Sequence, residues 1–408
     1  MKILLLNAGS SSLKASLVES DNGRTIASGL ADWAGSTTRY RYTVFDGKGP
    51  DGKDHPEDVA WKGHAQAVRR FLTDLTHSKP VALPDRSHLA AVGHRVVHGG
   101  PFTSSVRITP DVRSRITALA DLAPLHNPPS LEALAAAEAE LPDVPHVAVF
   151  DTAFHATLAP LAYTYPVPQQ WTRDWGVRRF GFHGLSHAYC ARRAAEMLGK
   201  PLEALRLVIC HLGHGCSAAA VKEGRCVDTT MGYTPLEGLM MATRSGSVDP
   251  SVILNVQRSH GLTVDQVEKA LNRESGLLGV SGVSADMRQV LAAAGAGNQN
   301  AQLALEIYAH RVRQAIGALT VTMGGIDALI FTAGIGEHAS AVRQSICAGL
   351  DCLGLELDAA ANASRRPDAD IAIEASRARI LIVATREDVT MLREVVAVLG
   401  GQESSPTS

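Results

Sequence analysis

A strand–turn–strand unit at the start of the chain returns in its second half, and that duplication limits the fold more than any other feature. Ile3 to Leu6 form a short apolar run, as a buried strand requires. Asn7-Ala8-Gly9-Ser10-Ser11-Ser12 follow as a small polar turn, and Leu13, Ala15 and Leu17 then alternate with Lys14, Ser16 and Val18, mostly in strand period. In the second half Leu207 to Cys210 are again apolar. They lead into His211-Leu212-Gly213-His214-Gly215-Cys216-Ser217 and a run from Ala218 to Val221. Both copies then reverse through a Gly-Arg turn, Gly23-Arg24 and Gly224-Arg225, and Asn7-x-Gly9 aligns with His211-x-Gly213. The repeat predicts two related domains, each offering a Gly-containing loop to a shared phosphate-bearing ligand.

The totals narrow the class of partner. With 39 Lys and Arg against 41 Asp and Glu, the net charge is −2. Nucleic acids and membrane surfaces both favour a basic excess, so neither is expected as a partner. The apolar run after Lys2 is too short for a signal-peptide core, and no stretch reaches the roughly 18 apolar residues of a spanning helix. Six cysteines without a Cys-x-x-Cys pair read as reduced thiols in a cytoplasmic protein, several of them buried in strands.

Strand and helix signals alternate along the rest of the chain. Strands are predicted at Thr25–Leu30, Ala91–Val97, Val147–Phe150, Ala328–Thr332 and Ile380–Ala384, and residues 46–58 read as an exposed loop. Ala65, Val68, Phe71, Leu72 and Leu75 repeat at helical spacing, Thr109-Pro110 reads as a capped helix start, and Ser130 reads as the opening of a helix over Leu131–Glu140. Further helices are predicted at Leu185–Leu198, Pro250–His260, Val264–Leu271, Ala301–Leu319, from near Ala339, and at Asp388–Leu399. The fold class is α/β, with mixed sheets flanked by helices. One domain is expected to span 1–151 with a returning helix 388–399, the other 152–387, with 400–408 as a disordered tail.

Neither common phosphate motif is present: there is no Gly-x-x-x-x-Gly-Lys-Ser/Thr and no Gly-x-Gly-x-x-Gly after a strand. Three Gly-containing turns nevertheless follow apolar strands, at Gly9, Gly213–Gly215 and Gly334–Gly336, and such turns bring backbone N–H groups near anionic oxygens. Arg95 lies inside an apolar strand and needs a carboxylate or a bound anion as partner. Asp151 ends a strand, where it either caps the next segment or meets a ligand. His183 and His187 are four apart, but Gly184 stands where a zinc-protease helix needs Glu, so a metal pair is rejected. Arg244 sits in a loop of small residues, either solvated or gripping a phosphate. Two arginines, an Asp, a His and three phosphate-friendly turns suit phosphoryl transfer, which needs positioning and charge neutralisation.

These motifs resemble the acetate kinase family, with propionate kinases as close relatives, over nearly the whole chain. The carriers are Asn7 to Lys14, Gly93-His94-Arg95-Val96-Val97-His98-Gly99-Gly100, Leu122 to Pro129, Phe150-Asp151-Thr152-Ala153-Phe154-His155, Gly181 to Gly184, Thr234 to Leu239, and Thr332-Ala333-Gly334-Ile335-Gly336-Glu337. The resemblance implies two duplicated ribonuclease-H-like, actin-like ATPase domains closing over ATP. It implies reversible, direct, in-line transfer from ATP to acetate, giving acetyl phosphate and ADP, in a homodimer. Asn7 and Glu387 are then implied to hold Mg²⁺, with Mn²⁺ as a substitute, and Asp151 to lie close to the metal and the reacting groups. Arg95 and Arg244 are implied to bind the acyl carboxylate and the transferred phosphoryl, which His183 steadies. Val97, Leu125, Phe182 and Pro235 are implied around the acetate methyl.

On the nucleotide side the resemblance implies Ser10, Ser12 and Lys14 near the phosphates. It also implies the runs His211-Leu212-Gly213-His214-Gly215, Asp286-Met287-Arg288 and Gly334-Ile335-Gly336-Glu337-His338. Two positions depart from the family pattern, His214 and His338, each standing where Asn is usual. A histidine at 214 predicts nucleotide affinity that changes near the imidazole reference pKa, about 6.5. Competing readings are a propionate or other short-chain carboxylate kinase, an ATP-driven conformational module, and a descendant that binds nucleotide without catalysis. The set Arg95, Asp151, His183 and Arg244 separates a carboxylate kinase from the conformational module, because an ATPase switch has no use for a carboxylate clamp, and acetate-dependent hydroxamate formation from ATP separates all of these readings.

Overall fold

Fourteen strands build two sheets in the computed structural model, which describes residues 1–45, 53–124 and 126–401. The first eight are β1 (Lys2–Ala8), β2 (Ser12–Glu19), β3 (Thr25–Asp32), β4 (Thr38–Val44), β5 (Lys53–Val59), β6 (Leu89–Val96), β7 (Val106–Arg107) and β8 (His146–Phe150). The second set is β9 (Arg206–Leu212), β10 (Cys216–Lys222), β11 (Arg225–Thr229), β12 (Ala328–Thr332), β13 (Ala369–Asp370) and β14 (Arg379–Ile382). The chain divides into two units, Met1–Phe154 with Arg386–Ser408, and His155–Thr385. Boundaries were expected at 151/152 and 387/388, so Glu387 falls in the first unit rather than the second. Most of the expected tail, 402–408, lies outside the described residues.

The sheet orders are β5-β4-β3-β2-β1-β6-β8-β7 and β11-β10-β9-β12-β14-β13. Removing β4 and β5 from the first leaves the two orders equivalent strand for strand. In each, an antiparallel three-strand meander is extended by two parallel strands and closed by a short antiparallel one. The repeat read from the hairpins therefore covers six strands. The parallel strands β6, β8, β12 and β14 are almost wholly apolar because helices cover both faces of a parallel sheet.

In the first unit the helix His64–His77 buries Ala67, Val68, Phe71, Leu72 and Leu75 on one stripe. It packs tightly on β3, where a β-carbon at Gly29 would meet Phe71 at 2.4 Å. The helix Glu387–Leu399 returns to the same unit. A β-carbon at Gly93 in β6 would lie 2.6 Å from Val395 Cγ2, so glycine there seats this helix and fixes Glu387 at its N-terminus. In the second unit the helix Gln299–Met323 buries Ala301, Ala304, Tyr308, Val312, Ile316, Leu319 and Met323 at three- and four-residue spacing. Among the described residues no helix is long and apolar enough to cross a membrane.

Three local expectations are corrected. Residues 53–58 of the expected loop belong to β5, where pairing with β4 overrides their polar composition. The remainder, 46–52, lies outside the described residues. The helix expected from Ser130 begins at Asn127, because Pro128 and Pro129 fit a first turn whose N–H groups have no partners anyway. The turn expected at Gly334–Gly336 is a short helix, Ala333–His338, entered directly from β12 through Ala333 at φ 63.

Candidate active site

Each unit gathers one polar constellation at the end of its central strands. In the first, Arg95 near the end of β6 reaches Asp151, which follows β8. Arg95 Nε donates to Asp151 Oδ1 at 3.0 Å and Nη2 to Oδ2 at 2.6 Å. Nη1 donates to Asn7 Oδ1 at 3.2 Å and lies 3.2 Å from Glu387 Oε2, to which Asn7 Nδ2 donates at 3.4 Å. Asp151 does not cap the next segment, since its carboxylate oxygens go to the guanidinium. Arg95 takes carboxylate partners, the alternative that left its fork largely occupied.

Two carboxylates here face one guanidinium. Burial pushes the Asp151 carboxyl above its ordinary value; Arg95 pulls the other way, and the Glu387 charge adds to the rise. Burial disfavours the Arg95 charge, but Asp151 and Glu387 outweigh it and raise the guanidinium. Two carboxylates share one paired guanidinium, and the side-chain oxygens of Asn7, Asp151 and Glu387 suit a hard divalent cation. Among the described residues no three His, Cys, Asp or Glu side chains form a ready-made metal cluster.

The tip of the first hairpin adjoins this set. Gly9 N donates to Ser12 O at 2.8 Å, and Lys14 pairs with Asn7 in the β1–β2 register. His64 holds the tip from behind, with Nε2 2.8 Å from Gly9 O and Nδ1 2.9 Å from Glu132 Oε2. Val97 is buried beside Arg95, while Leu125 lies outside the described residues. The buried Asn127 fixes the next residue: its Oδ1 accepts from His98 N at 3.0 Å and its Nδ2 donates to His98 O at 3.1 Å. Neither His64 nor Asn127 was singled out from the sequence. Asn127 lay within a quoted motif, whereas His64 carried no signal.

In the second unit His183 adopts a left-handed conformation, φ 58, immediately before the helix Gly184–Leu198. Such a position is sparsely populated without glycine. The ring stacks on His211 with centroids 4.1 Å apart, and His211 Nδ1 is 2.8 Å from Ser186 Oγ. Arg244 donates through Nη1 to Pro235 O at 2.7 Å and has no ion pair among the described residues. Burial pulls its guanidinium below the ordinary arginine value. A β-carbon at Gly215 would lie 3.0 Å from Arg244 Nη2 and 3.3 Å from both Cε1 and Nε2 of His183. The two side chains thus converge over a glycine, in the second hairpin tip.

The Pro235 segment is anchored by Arg179, which the sequence did not mark, and by Glu237, which lies within the Thr234–Leu239 run. Arg179 Nη2 donates to Glu237 Oε1 at 2.8 Å, while its Nη1 lies 3.1 Å from the carbonyls of Thr229, Thr230 and Met231. Phe182 is buried and its carbonyl accepts from His155 Nε2 at 2.9 Å.

The remaining nucleotide-side residues form two further groups. Asp286 caps the helix Met287–Gly295 through Arg288 N at 2.9 Å and pairs with the exposed Arg288 guanidinium at 2.6 Å. Met287 is buried. In the helix Ala333–His338, Glu337 Oε1 accepts from Thr385 N at 2.9 Å, and Ala333 N donates to Thr385 Oγ1 at 3.0 Å. Buried Arg343 donates to the carbonyls of Gly336 and Glu337, both at 2.9 Å, where the helix dipole favours a cation. His338 is exposed. Desolvation, then the Arg244 cation, pull the His214 imidazole below its usual value.

A model of the acetokinase family matches residues 2–393. The chain belongs to the acetokinase family. Among curated members it is 46% identical to the acetate kinase of Microcystis aeruginosa over 400 residues, covering 97% of this chain and 98% of that one. It is 44% identical to the acetate kinase of Methanosarcina acetivorans over 395 residues, covering 97% and 96%. The crystal structure of Porphyromonas gingivalis acetate kinase superposes with a TM-score of 0.88 at 38% identity, covering 98% of this chain and 99% of that one. A propionate kinase from Francisella tularensis gives 0.86 at 36%, covering 96% and 98%. The duplicated actin-like ATPase architecture of the acetokinases is the one drawn here by the two six-strand cores.

Proposed function

We propose that the chain is an acetate kinase, transferring the γ-phosphoryl group of ATP to acetate directly and in line, with acetyl phosphate and ADP as products. The observation that carries this reading is the convergence of Arg244 and His183 over Gly215, with Arg244 bound to no carboxylate among the described residues. A half-buried guanidinium of this kind calls for an anion. In-line transfer asks for little else than positioned positive charge around the moving group.

Arg244 and His183 donate to the oxygens of the transferred phosphoryl group, where charge gathers in the transition state. Arg95 attracts the acyl carboxylate. Its bonds to Asp151 and Asn7 lock the guanidinium in place, so no reorganisation is needed when the substrate arrives. Val97 offers an apolar surface to the acyl chain, and Ser10, Ser12 and Lys14 serve the phosphates. Asn7 and Glu387, beside Asp151, suit Mg²⁺, with Mn²⁺ as a substitute of similar donor preference. Such an ion neutralises phosphate charge when bound. The runs 211–215, 286–288 and 334–338 serve the nucleotide. The reading includes a cytoplasmic homodimer.

A propionate kinase is the second reading, supported by the likeness to the Francisella enzyme. One methylene in an apolar pocket is worth only about 1–3 kcal/mol, so the two readings differ in preference rather than in machinery. Comparing kcat/KM for formate, acetate, propionate and butyrate, with ATP and Mg²⁺ and hydroxamate detection, tests both. ATP binding without carboxylate-dependent hydroxamate would sink the kinase reading, and sedimentation velocity checks the dimer.

A further inference from the structure

Behind His183 lies a short chain of side chains whose hydrogens can be placed one at a time. His183 Nδ1 and His187 Nε2 approach the same atom, Ser217 Oγ, at 2.9 and 2.8 Å. Ser217 and His187 are fully buried. The two rings are the only hydrogen-bond partners of the Ser217 hydroxyl among the described residues, and if it accepted from both, its own hydrogen would be buried with no acceptor; Ser217 therefore donates to one ring and accepts from the other.

His187 decides the direction. Its Nδ1 is buried with no hydrogen-bond partner among the described residues. Burial first, then the neighbouring His155 and His211, hold its pKa well below the ordinary imidazole value, so the ring is neutral and carries one hydrogen. On Nδ1 that hydrogen would form a buried, unpaired N–H, the rarer kind of orphaned group. On Nε2 it makes the 2.8 Å bond to Ser217 and leaves only a lone pair unmatched. Ser217 must then donate to His183 Nδ1. A neutral His183 consequently carries its hydrogen on Nε2, and the Cε1–Nε2 edge is the one that faces Gly215 beside Arg244 Nη2.

We propose that His187 and Ser217 act as a relay that fixes the tautomer of His183, so that Nε2 presents a hydrogen to the transferred phosphoryl group. Both are positioning residues. The inference rests on the role given to His183 above. In the opposite tautomer Nε2 would turn a lone pair toward phosphate oxygens, which repels them. The stack of His183 on His211 keeps the ring plane fixed while the relay sets its polarity.

Histidine-selective ¹⁵N labelling of the full chain tests this, with His183 assigned by comparison with His183→Gln. At mildly alkaline pH the ring-nitrogen shifts should place the hydrogen of His183, and that of His187, on Nε2. Ser217→Ala should give His183 a mixture of tautomers. It should also lower kcat about tenfold, while KM for acetate and ATP stays within about twofold. Ser217→Cys, close in shape but a weak donor, should move both readouts the same way by less, and serves if the alanine variant does not fold. Hydrogen on Nδ1 of His183 in the wild type, or an unchanged tautomer in both Ser217 variants, overturns the relay. The spectrum reads the tautomer whether or not the enzyme turns over. A fully active His183→Gln enzyme would therefore count against the phosphoryl role alone, and the wild-type spectrum would still decide the relay.

Discussion

Arg244 Nη2 and His183 Nε2 both come within van der Waals reach of the position a side chain would take at Gly215. A side chain there would press on both neighbours, while the backbone angles of Gly215 do not call for glycine. Gly215→Ala should push both donors aside. We expect kcat for acetyl phosphate formation to fall about 10²-fold, as misplacement of reacting groups commonly costs, with an unfolding midpoint close to wild type. Full activity in the alanine variant would show that the two side chains do not act on a common group.

Removing Arg95 leaves two carboxylates facing each other without their cation. Arg95→Ala should lower stability by about 3–5 kcal/mol in urea unfolding. It should also reduce kcat/KM for acetate on the order of 10²–10³-fold. A variant with wild-type stability would mean that Asp151 and Glu387 are neutralised by something else.

Glu387→Gln removes the surplus negative charge while keeping the shape. The Mg²⁺ concentration for half-maximal rate should rise at least about tenfold, because one hard anionic donor is lost. Stability in EDTA should hold or increase, since two carboxylates no longer share the one Arg95 cation. An unchanged Mg²⁺ titration would remove Glu387 from the metal site.

Acid stability should fail in both units. Burial drives His155 down to about 4, against a weaker opposing pull from its bond to Phe182 O. Burial also takes His94 and His187 well below the ordinary value. A folded-state pKa below the unfolded one means that the unfolded chain binds more protons. The stability these neutral rings contribute is therefore whole above about pH 6.5 and is lost as pH falls toward the folded values. Each proton gained on unfolding steepens the fall by about 1.4 kcal/mol per pH unit. Urea midpoints should drop between pH 7 and 5. A flat profile would contradict the burial of these rings.

For His214, protonation is pushed below pH 6.5 by partial burial and by Arg244. KM for ATP should be level from pH 6.5 to 8, and any rise below that range should vanish in His214→Asn. A rise centred on neutral pH would place the imidazole in a different environment.

The fold was largely legible because apolar periodicity and the repeated hairpin are local signals. Ile3–Leu6 and Leu207–Cys210 each predicted a strand, and both lie within one, β1 and β9. Polar residues 53–58 misled because strand pairing with β4, a tertiary effect, outweighed composition. Arg95, Asp151, His183 and Arg244 stood out as charged groups in unusual local contexts. Ser217, Asn127 and His64 did not, and His187 stood out only as half of a rejected metal pair, since their meaning lies in partners distant along the chain. A buried serine in an apolar strand looks unremarkable until two imidazoles are seen to share its hydroxyl.

Asn7 pairs with Lys14 and His211 with Ser217, in both cases one rung before the hairpin tip. A single ancestral position has therefore diverged into an amide among carboxylates in one half and an aromatic plate beneath a histidine in the other. Exchanging the two residues would damage each half for a different reason: a titratable ring would crowd the guanidinium of Arg95, and an amide would give His183 nothing to lie against. The paralogous halves have specialised so far that neither can any longer stand in for its twin.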